Sequence, residues 1–232
     1  MMSKTEEDFK NGQVLLIDKP LEWTSFQAVN KLRWHIKQRF KIKKIKVGHA
    51  GTLDPLATGL LIICTGKRTK EIHTYQGQIK EYTGTFTIGA TTPSYDLETE
   101  VNETFSTDHI SEELLKETTK QFIGEIQQKP PIFSAIKKDG KRLYELARKG
   151  ETTEIKARTV TIQEFEITNS NLPKVDFRVI CSKGTYIRSL AYDFGLALNS
   201  GAHLSTLRRT KIGNFSVDDA SGIHQFIENL EN

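Results

Sequence analysis

Only two cysteines occur in the 232 residues, and each lies in an apolar segment, Cys64 after Leu60–Ile63 and Cys181 after Val179–Ile180. The sequence has no Cys-x-x-Cys pair and no Cys/His spacing typical of a metal site, which argues against structural zinc. Two isolated cysteines also argue against a disulfide scaffold. We therefore expect two core thiols and a protein of the reducing cytoplasm.

Long apolar runs are missing as well. The longest aliphatic run, Leu60 to Ile63, is far too short to cross a bilayer, and the charged segment from Met1 to Asn11 does not resemble a secretory signal. With 37% hydrophobic and 27% charged residues, the composition is that of an ordinary globular protein. We expect one catalytic domain over residues 1–232, and a monomer.

The common cofactor motifs are absent too. Gly66-Lys67 resembles the end of a phosphate-binding P-loop, but that pattern needs Gly at position 61 and Ser or Thr at position 68, where Leu61 and Arg68 stand. No G-x-G-x-x-G follows a strand, and no H-E-x-x-H is present. Nothing in the sequence requires a cofactor or a metal, so we expect none.

Acidic residues are absent between Glu22 and Asp54, although the whole chain carries 33 basic against 29 acidic residues, a net charge of +4. Basic residues cluster in that gap and twice more along the chain, at Lys31, Arg33, Lys37, Arg39, Lys41, Lys43, Lys44 and Lys46, at Lys129, Lys137, Lys138, Lys141 and Arg142, and at Arg208, Arg209 and Lys211. One such cluster is often only a solvated helix face. Three favour a nucleic-acid partner, with the acidic stretch from Asp96 to Glu117 facing away from it.

Hydrophobic patterning predicts a mixture of strands and helices without a regular βαβ repeat, and therefore an α+β fold. Strands are predicted at 14–17, 45–47, 60–64, 81–90, 157–168 and 175–181. Helices are predicted at 25–40, with Thr24 or Ser25 as the cap, and at 111–123, 142–149, 185–198 and 220–230. Loops are predicted at 48–59 and 129–141.

The loop from Gly48 to Gly59 contains three glycines, one proline and a single acid, Asp54, between two apolar strands. Asp-Pro is most simply a turn initiator. However, an ionised carboxylate beside a bound polyanion is unfavourable unless it has a chemical task, and acting as a nucleophile is such a task. Asp54 is therefore the candidate catalytic residue.

Six segments in order give this loop a context: D-K-P-L-E-W-T-S at 18–25, G-H-A-G-T-L-D-P-L-A-T-G-L-L at 48–61, K-E-Y at 80–82, Q-K-P-P-I-F-S-A at 128–135, K-G-T-Y-I-R-S-L at 183–190 and L-R-R-T at 207–210. Together they resemble the motifs of the TruB-type tRNA pseudouridine synthases. The resemblance implies the pseudouridine synthase fold, in which a mixed, mainly antiparallel central sheet is flanked by helices. It also implies a thumb-like insertion at about residues 125–152 that grips RNA.

The resemblance also implies a role for individual residues. Asp54 is the nucleophilic aspartate, and Arg188 pairs with it. Tyr82 stacks on the flipped uracil. The remaining residues contact RNA or line the pocket: Lys19, His49, Tyr186 and Leu207. Taken one at a time, each of these side chains has a simpler structural explanation, and the joint order of the motifs favours the functional one.

The implied activity is the isomerisation of uridine to pseudouridine at position 55, in the T-loop of tRNAs. The base must first be extruded, which costs a few kcal/mol, while base–aromatic stacking returns about 1–3 kcal/mol. The carboxylate could attack the sugar, attack the uracil ring or act as a base. The alternatives are a synthase for ribosomal or guide-directed RNA, an RNA-binding module without chemistry, and a nucleosidase that releases uracil.

Two departures from the family pattern stand out. Glu22 occupies a position where the family usually has glycine, which tolerates a positive φ far better than glutamate does. About 17 residues follow Phe215, too few for the PUA RNA-binding domain that many relatives carry, so we expect none. The basic segment from Lys31 to Lys46 is a candidate substitute for its RNA contacts.

Overall fold

A computed structural model describes residues 5–134, 136–138, 140–148, 150 and 153–231. Its helices are α1 (Glu6–Asn11), α2 (Ser25–Phe40), α3 (Ile72–Gly77), α4 (Glu112–Thr119), α5 (Leu143–Ala147), α6 (Ile187–Ala197) and α7 (Ile223–Glu231). Short 3₁₀ turns cover Gly66–Glu71, Lys120–Phe122 and Val217–Asp219.

The strands, in chain order, are β1 (Val14–Lys19), β2 (Val47–His49), β3 (Ala57–Thr65), β4 (Lys80–Ile88), β5 (Ala90–Thr91), β6 (Glu103–Thr104), β7 (Gly124–Gln128), β8 (Lys137–Lys138), β9 (Lys141–Arg142), β10 (Arg158–Asn171), β11 (Lys174–Cys181), β12 (Ala202–Ile212), β13 (Phe215–Ser216) and β14 (Ser221–Gly222). The chain divides into two compact units. The first comprises Met1–Tyr82 and Leu207–Asn232, and the second comprises Thr83–Thr206.

The first unit is built on β1, β3 and the C-terminal half of β12. Strand β1 pairs with β3 in antiparallel fashion and with β14 in parallel. On its other side β3 pairs in parallel with β12, where Leu207 faces Ala57 and Arg209 faces Gly59. Strand β2 adds to β3 with His49 opposite Ile63. The loop that carries Asp54 therefore joins two strands of one sheet.

Helix α2 covers this sheet with one apolar face. Thr24 and Gln27 form a reciprocal capping box that starts the helix, as the predicted cap requires. The buried positions Ala28, Val29, Leu32 and Ile36 recur at helical spacing and pack in a core with β1, β3 and α7. The opposite face of α2 is exposed to solvent.

In the second unit β12, β4, β11, β10 and β7 are neighbours in that order, and the pairs β10–β11 and β10–β7 are antiparallel. Its core contains stacked and tilted aromatic rings. The ring centroids of Phe86 and Phe177 lie 4.1 Å apart, and those of Phe165 and Phe194, the latter on α6, lie 5.3 Å apart. Both cysteines are buried and free, as expected.

The α+β class is confirmed, with a mixed and mainly antiparallel sheet. Helix α2 begins and ends as expected, whereas the strand predicted at 45–47 is displaced to Val47–His49, so the 48–59 loop is shorter than expected. The pattern missed β7 and β12. The single catalytic domain and the thumb-like insertion stay predictions, and residues 135, 139, 149, 151 and 152 of that segment lie outside the described residues.

Candidate active site

Asp54 lies half-buried in the short loop between β2 and β3, and its carbonyl closes a turn by accepting a hydrogen bond from the Ala57 N–H at 3.1 Å. The neighbouring Leu53 is buried, and both its backbone N–H and its carbonyl are hydrogen-bonded to Ser25. Ser25 Oγ accepts from the Leu53 N–H at 2.8 Å and donates to the Leu53 carbonyl at 3.1 Å. The start of α2 therefore holds the residue next to the candidate nucleophile.

Arg209 holds the same loop from β12. Its guanidinium is almost fully buried, with 1% of the residue exposed. Nε donates to the Leu60 carbonyl at 2.8 Å, and Nη2 donates to the Gly51 carbonyl at 3.2 Å. The facing Gly59 has φ of +104°, and a Cβ there would lie 2.3 Å from the Arg209 carbonyl oxygen. Only glycine fits this contact, so the strand pair and the loop are locked together.

A second buried cation, Lys19, lies in the same unit at the end of β1. Lys19 Nζ donates to the carbonyls of Pro20 and Trp23, both at 2.7 Å. Burial lowers the pKa of Lys19 to about 8, and the positive charge of Arg209 acts in the same direction, while the negative charge of Asp54 opposes the shift. The carboxylate of Asp54 is therefore near enough to influence Lys19, and the predicted role of Lys19 in RNA binding stays a prediction.

The turn at Glu22 completes the support of the loop. Its backbone N–H donates to the Pro55 carbonyl at 2.8 Å, and its φ is +65°. The family's usual glycine would tolerate this φ better than glutamate does. Glu22 nevertheless adopts the left-handed conformation, which is strained for an L-residue.

His49, Tyr82 and Leu207 belong to the same unit as Asp54. His49 is the last residue of β2, and burial lowers the pKa of its imidazole, with the charge of Arg209 adding to the shift. Tyr82 is buried on β4, and Leu207 pairs with Ala57, where the loop that carries Asp54 ends. Their predicted contacts with RNA stay predictions.

Two motifs in the same unit are joined by an ion pair that the sequence did not reveal. Arg208 Nη1 and Nη2 contact Asp18 Oδ1 and Oδ2 at 3.0 and 2.7 Å. The pair ties the first motif to the last, next to the buried Lys19 and Arg209. Its bidentate geometry adds specificity, and its partial exposure limits its energetic contribution.

Tyr186 and Arg188 lie in the second unit, at the start of α6. Gln128 exchanges two hydrogen bonds with the Tyr186 backbone, at 2.8 and 3.1 Å. Arg188 is 4% exposed. Its Nη2 donates to the Phe133 carbonyl at 3.0 Å, and its Nε lies 3.4 Å from Asp96 Oδ2. The pairing of Arg188 with Asp54 stays a prediction.

The environment of Asp96 differs from the prediction. The acidic stretch from Asp96 to Glu117 was expected to face away from the RNA, but only 5% of Asp96 is exposed and it forms the ion pair with Arg188. A buried carboxylate needs a partner cation, and the G-T-Y-I-R-S-L segment supplies it. No signal in the neighbouring acidic residues distinguishes Asp96 from them.

Two family models together match residues 37–231 of the chain. The model described as "TruB family pseudouridylate synthase (N terminal domain)" matches residues 37–187, and that described as "tRNA pseudouridylate synthase B C-terminal domain" matches residues 188–231. The chain belongs to the TruB family. It is therefore a pseudouridine synthase, an enzyme of the isomerase class, as the motifs predicted.

Individual relatives agree with this assignment. The chain is 68% identical over 228 residues to tRNA pseudouridine synthase B of Flavobacterium johnsoniae, covering 98% of this chain and 100% of the relative. It is 58% identical over 224 residues to the protein of the same name from Phocaeicola vulgatus, and the match covers 97% of this chain and 95% of that relative.

Solved structures give the same fold. A Cbf5-Nop10-Gar1 complex contains a chain similar to this one with a TM-score of 0.72 and 30% identity, covering 97% of this chain and 56% of that one. An H/ACA RNP bound to a substrate RNA containing 2'-deoxyuridine contains another, with a TM-score of 0.68, 27% identity, and coverage of 98% and 60%. The expected pseudouridine synthase fold is confirmed. No helix within the described ranges is long and apolar enough to span a membrane.

Proposed function

We propose that the chain isomerises uridine 55 in the T-loop of tRNAs to pseudouridine, and that Asp54 is the catalytic carboxylate. The observation that carries the proposal is the position of Asp54. Its carboxylate is half-buried on a loop whose neighbours are held by Ser25, Arg209 and Glu22. Such rigid support is what a reacting group requires. The family membership and the relatives' printed names supply the substrate class.

The reaction breaks the bond between N1 of uracil and C1′ of ribose, turns the base, and joins C5 to C1′. C5 loses its proton and N1 gains one, so the numbers of atoms and charges are unchanged. The product is an isomer, so no electrons are transferred and no group is added. Asp54 attacks the sugar or the ring, or removes a ribose proton, and all three steps use the carboxylate as an electron-pair donor.

The remaining roles concern the flipped nucleotide. Tyr82 offers an aromatic face to the extruded uracil, and His49 fills the vacated stack, each contact being worth about 1–3 kcal/mol. Leu207 and Tyr186 line the pocket, and Arg188 orders the catalytic carboxylate. Asp96 acts as a positioning residue through its ion pair with Arg188. The enzyme acts as a monomer in the cytoplasm, where free thiols such as Cys64 and Cys181 persist.

The test uses an unmodified tRNA transcript without added metal, with pseudouridine mapped by carbodiimide-blocked reverse transcription. The wild type is compared with Asp54→Asn and with Asp219→Asn, an exposed aspartate on the 3₁₀ turn Val217–Asp219. We expect modification at position 55 from the wild type and Asp219→Asn and none from Asp54→Asn. Free uracil would indicate a nucleosidase, and product in ribosomal RNA alone would overturn the tRNA assignment.

A further inference from the structure

A shallow surface cleft of about 370 Å³ lies at the N-terminal half of α2, outside the loop that carries Asp54. It is lined by Trp23, Gln27, Asn30 and Lys31. These are an indole, two amides and an ammonium group, and none of them has a role in the chemistry described above. Gln27, Asn30 and Lys31 lie on α2 outside its buried positions, and the partly buried Trp23, which precedes the helix, packs against the core with part of its surface.

The hydrogen bonds inside the cleft decide what it offers to a ligand. Gln27 Oε1 already accepts from the N–H and the hydroxyl of Thr24, at 2.8 and 2.9 Å. Asn30 Oδ1 accepts from Arg33 Nη2. Gln27 Oε1 therefore accepts two hydrogen bonds and Asn30 Oδ1 accepts one, whereas the two NH₂ groups and the Lys31 ammonium donate none within the described residues. A cleft that offers mainly donors favours a ligand rich in acceptors.

The charged and aromatic residues near the cleft indicate the class of ligand more closely. The sequence has no acidic residue between Glu22 and Asp54, while Lys31, Arg33 and Lys37 all belong to α2. Trp34, one helical turn beyond the cleft, is 55% exposed. Aromatic side chains interleaved with basic ones are the usual surface for unpaired nucleotides, which stack a base and place a phosphate near a cation.

We propose that this cleft, hereafter the α2 cleft, binds a nucleotide of the substrate tRNA outside the reacting position. Trp23 stacks on a base, Gln27 and Asn30 donate to its acceptors, and Lys31 neutralises a phosphate. The inference rests on the proposed function, because it assumes that the bound polyanion is the tRNA.

The position of the α2 cleft suits such a contact. Ser25 at the start of α2 is hydrogen-bonded to Leu53, next to Asp54. Lys31 follows six residues later, about 9 Å further along the helix axis at 1.5 Å per residue. RNA that reaches Asp54 therefore has neighbouring nucleotides within reach of the α2 cleft.

The first test replaces Asn30 by aspartate. Asn30→Asp keeps the oxygen that accepts from Arg33 but replaces the free NH₂ donor by an acceptor. Gln38→Glu adds the same charge at an exposed position two turns further along α2 and is the matched control. We expect Asn30→Asp to weaken binding of unmodified tRNA at least about tenfold, against less than about threefold for Gln38→Glu. Equal effects of the two variants would overturn the proposal.

The second test uses fluorescence, because the only two tryptophans of the chain are Trp23 and Trp34. In Trp34→Phe the emission reports on Trp23 alone. Titration with unmodified tRNA should quench it, and Asn30→Asp should reduce the quenching at saturating tRNA. Emission that does not change when tRNA binds would show that no base stacks in the α2 cleft.

Lys31→Ala provides a third readout. Loss of one phosphate contact should lower the slope of log affinity against log salt by about 1, whereas Lys70→Ala, an exposed lysine on another element, should not change it. An unchanged slope for Lys31→Ala would contradict the proposal.

Pseudouridine formation is measured in parallel with each binding experiment. Pseudouridine formation without quenching of Trp23 emission would overturn only the proposal that the α2 cleft binds a nucleotide. Absence of pseudouridine from the wild-type reaction would overturn the proposed function. The two failures are therefore distinguishable.

Discussion

The guanidinium of Arg209 donates to the carbonyl of Leu60 at 2.8 Å across the strand pair β3–β12. From the same buried position it donates to the carbonyl of Gly51 on the loop that carries Asp54. One side chain therefore connects a strand, a neighbouring strand and the loop that presents Asp54. This contact fixes the backbone of the loop at Gly51, three residues before Asp54.

Arg209→Lys should lower the single-turnover rate of pseudouridine formation by about 10²-fold or more. The ammonium of lysine cannot reproduce the planar fork of arginine, and a displacement of about 1 Å in a reacting group has effects of this size. The affinity for tRNA should change less than about threefold.

Arg208→Lys at the adjacent position is the control, because the pair of Arg208 with Asp18 is partly exposed and contributes about 0–1 kcal/mol. A wild-type rate in Arg209→Lys would show that the loop does not need this arginine.

The lowered pKa of Lys19 predicts that the free energy of unfolding depends on pH. Its native pKa is about 8 and its ordinary value is 10.5, with burial as the main cause. Between these values the unfolded chain binds more protons than the native protein, so the free energy of unfolding rises with pH. The contribution of Lys19 should rise by about 1–2 kcal/mol between pH 7.5 and 10, after allowance for incomplete desolvation.

Urea denaturation of the wild type and Lys19→Met at both pH values measures this, because their difference cancels the other titrating groups. A difference that stays constant with pH would contradict the assigned shift.

Asp193 predicts the opposite trend in the acidic range. Burial raises the pKa of its carboxyl from 3.8 to about 6. The native protein then binds more protons than the unfolded chain between these values, so stability is lost as pH rises through that range. Asp193→Asn should therefore stabilise the protein by about 1 kcal/mol at pH 7, discounted for partial exposure, and have little effect near pH 4. Thermal unfolding at the two pH values measures this, and equal effects at both would refute it.

Glu22→Gly should raise the free energy of unfolding by about 0.5–1 kcal/mol. Relief of the left-handed conformation, about 1–2 kcal/mol for an L-residue, exceeds the added entropy of glycine in the unfolded chain. Leu21→Gly, at an exposed neighbour without a positive φ, should instead destabilise the protein. Chemical denaturation of both variants measures the free energy of unfolding. A decrease in Glu22→Gly would contradict the assignment of backbone strain to Glu22.

How far the sequence predicted the structure depended on how local the signals were. The bounds of α2 follow from a cap and an apolar face within one segment. Strand β12 was missed because its polar residues break the alternation of a strand. Arg209, the most buried of them, finds its carbonyl partners about 150 positions earlier in the chain. Asp96 was misplaced for the same reason, since its partner Arg188 is distant in sequence.

The most direct test of the account is the rate of pseudouridine formation at position 55 of an unmodified tRNA transcript by the wild type, Asp54→Asn and Asp219→Asn. The account predicts product from the first and third proteins and none above background from Asp54→Asn, with tRNA binding retained in all three. Product from Asp54→Asn at the wild-type rate would remove Asp54 from the chemistry and contradict the central claim.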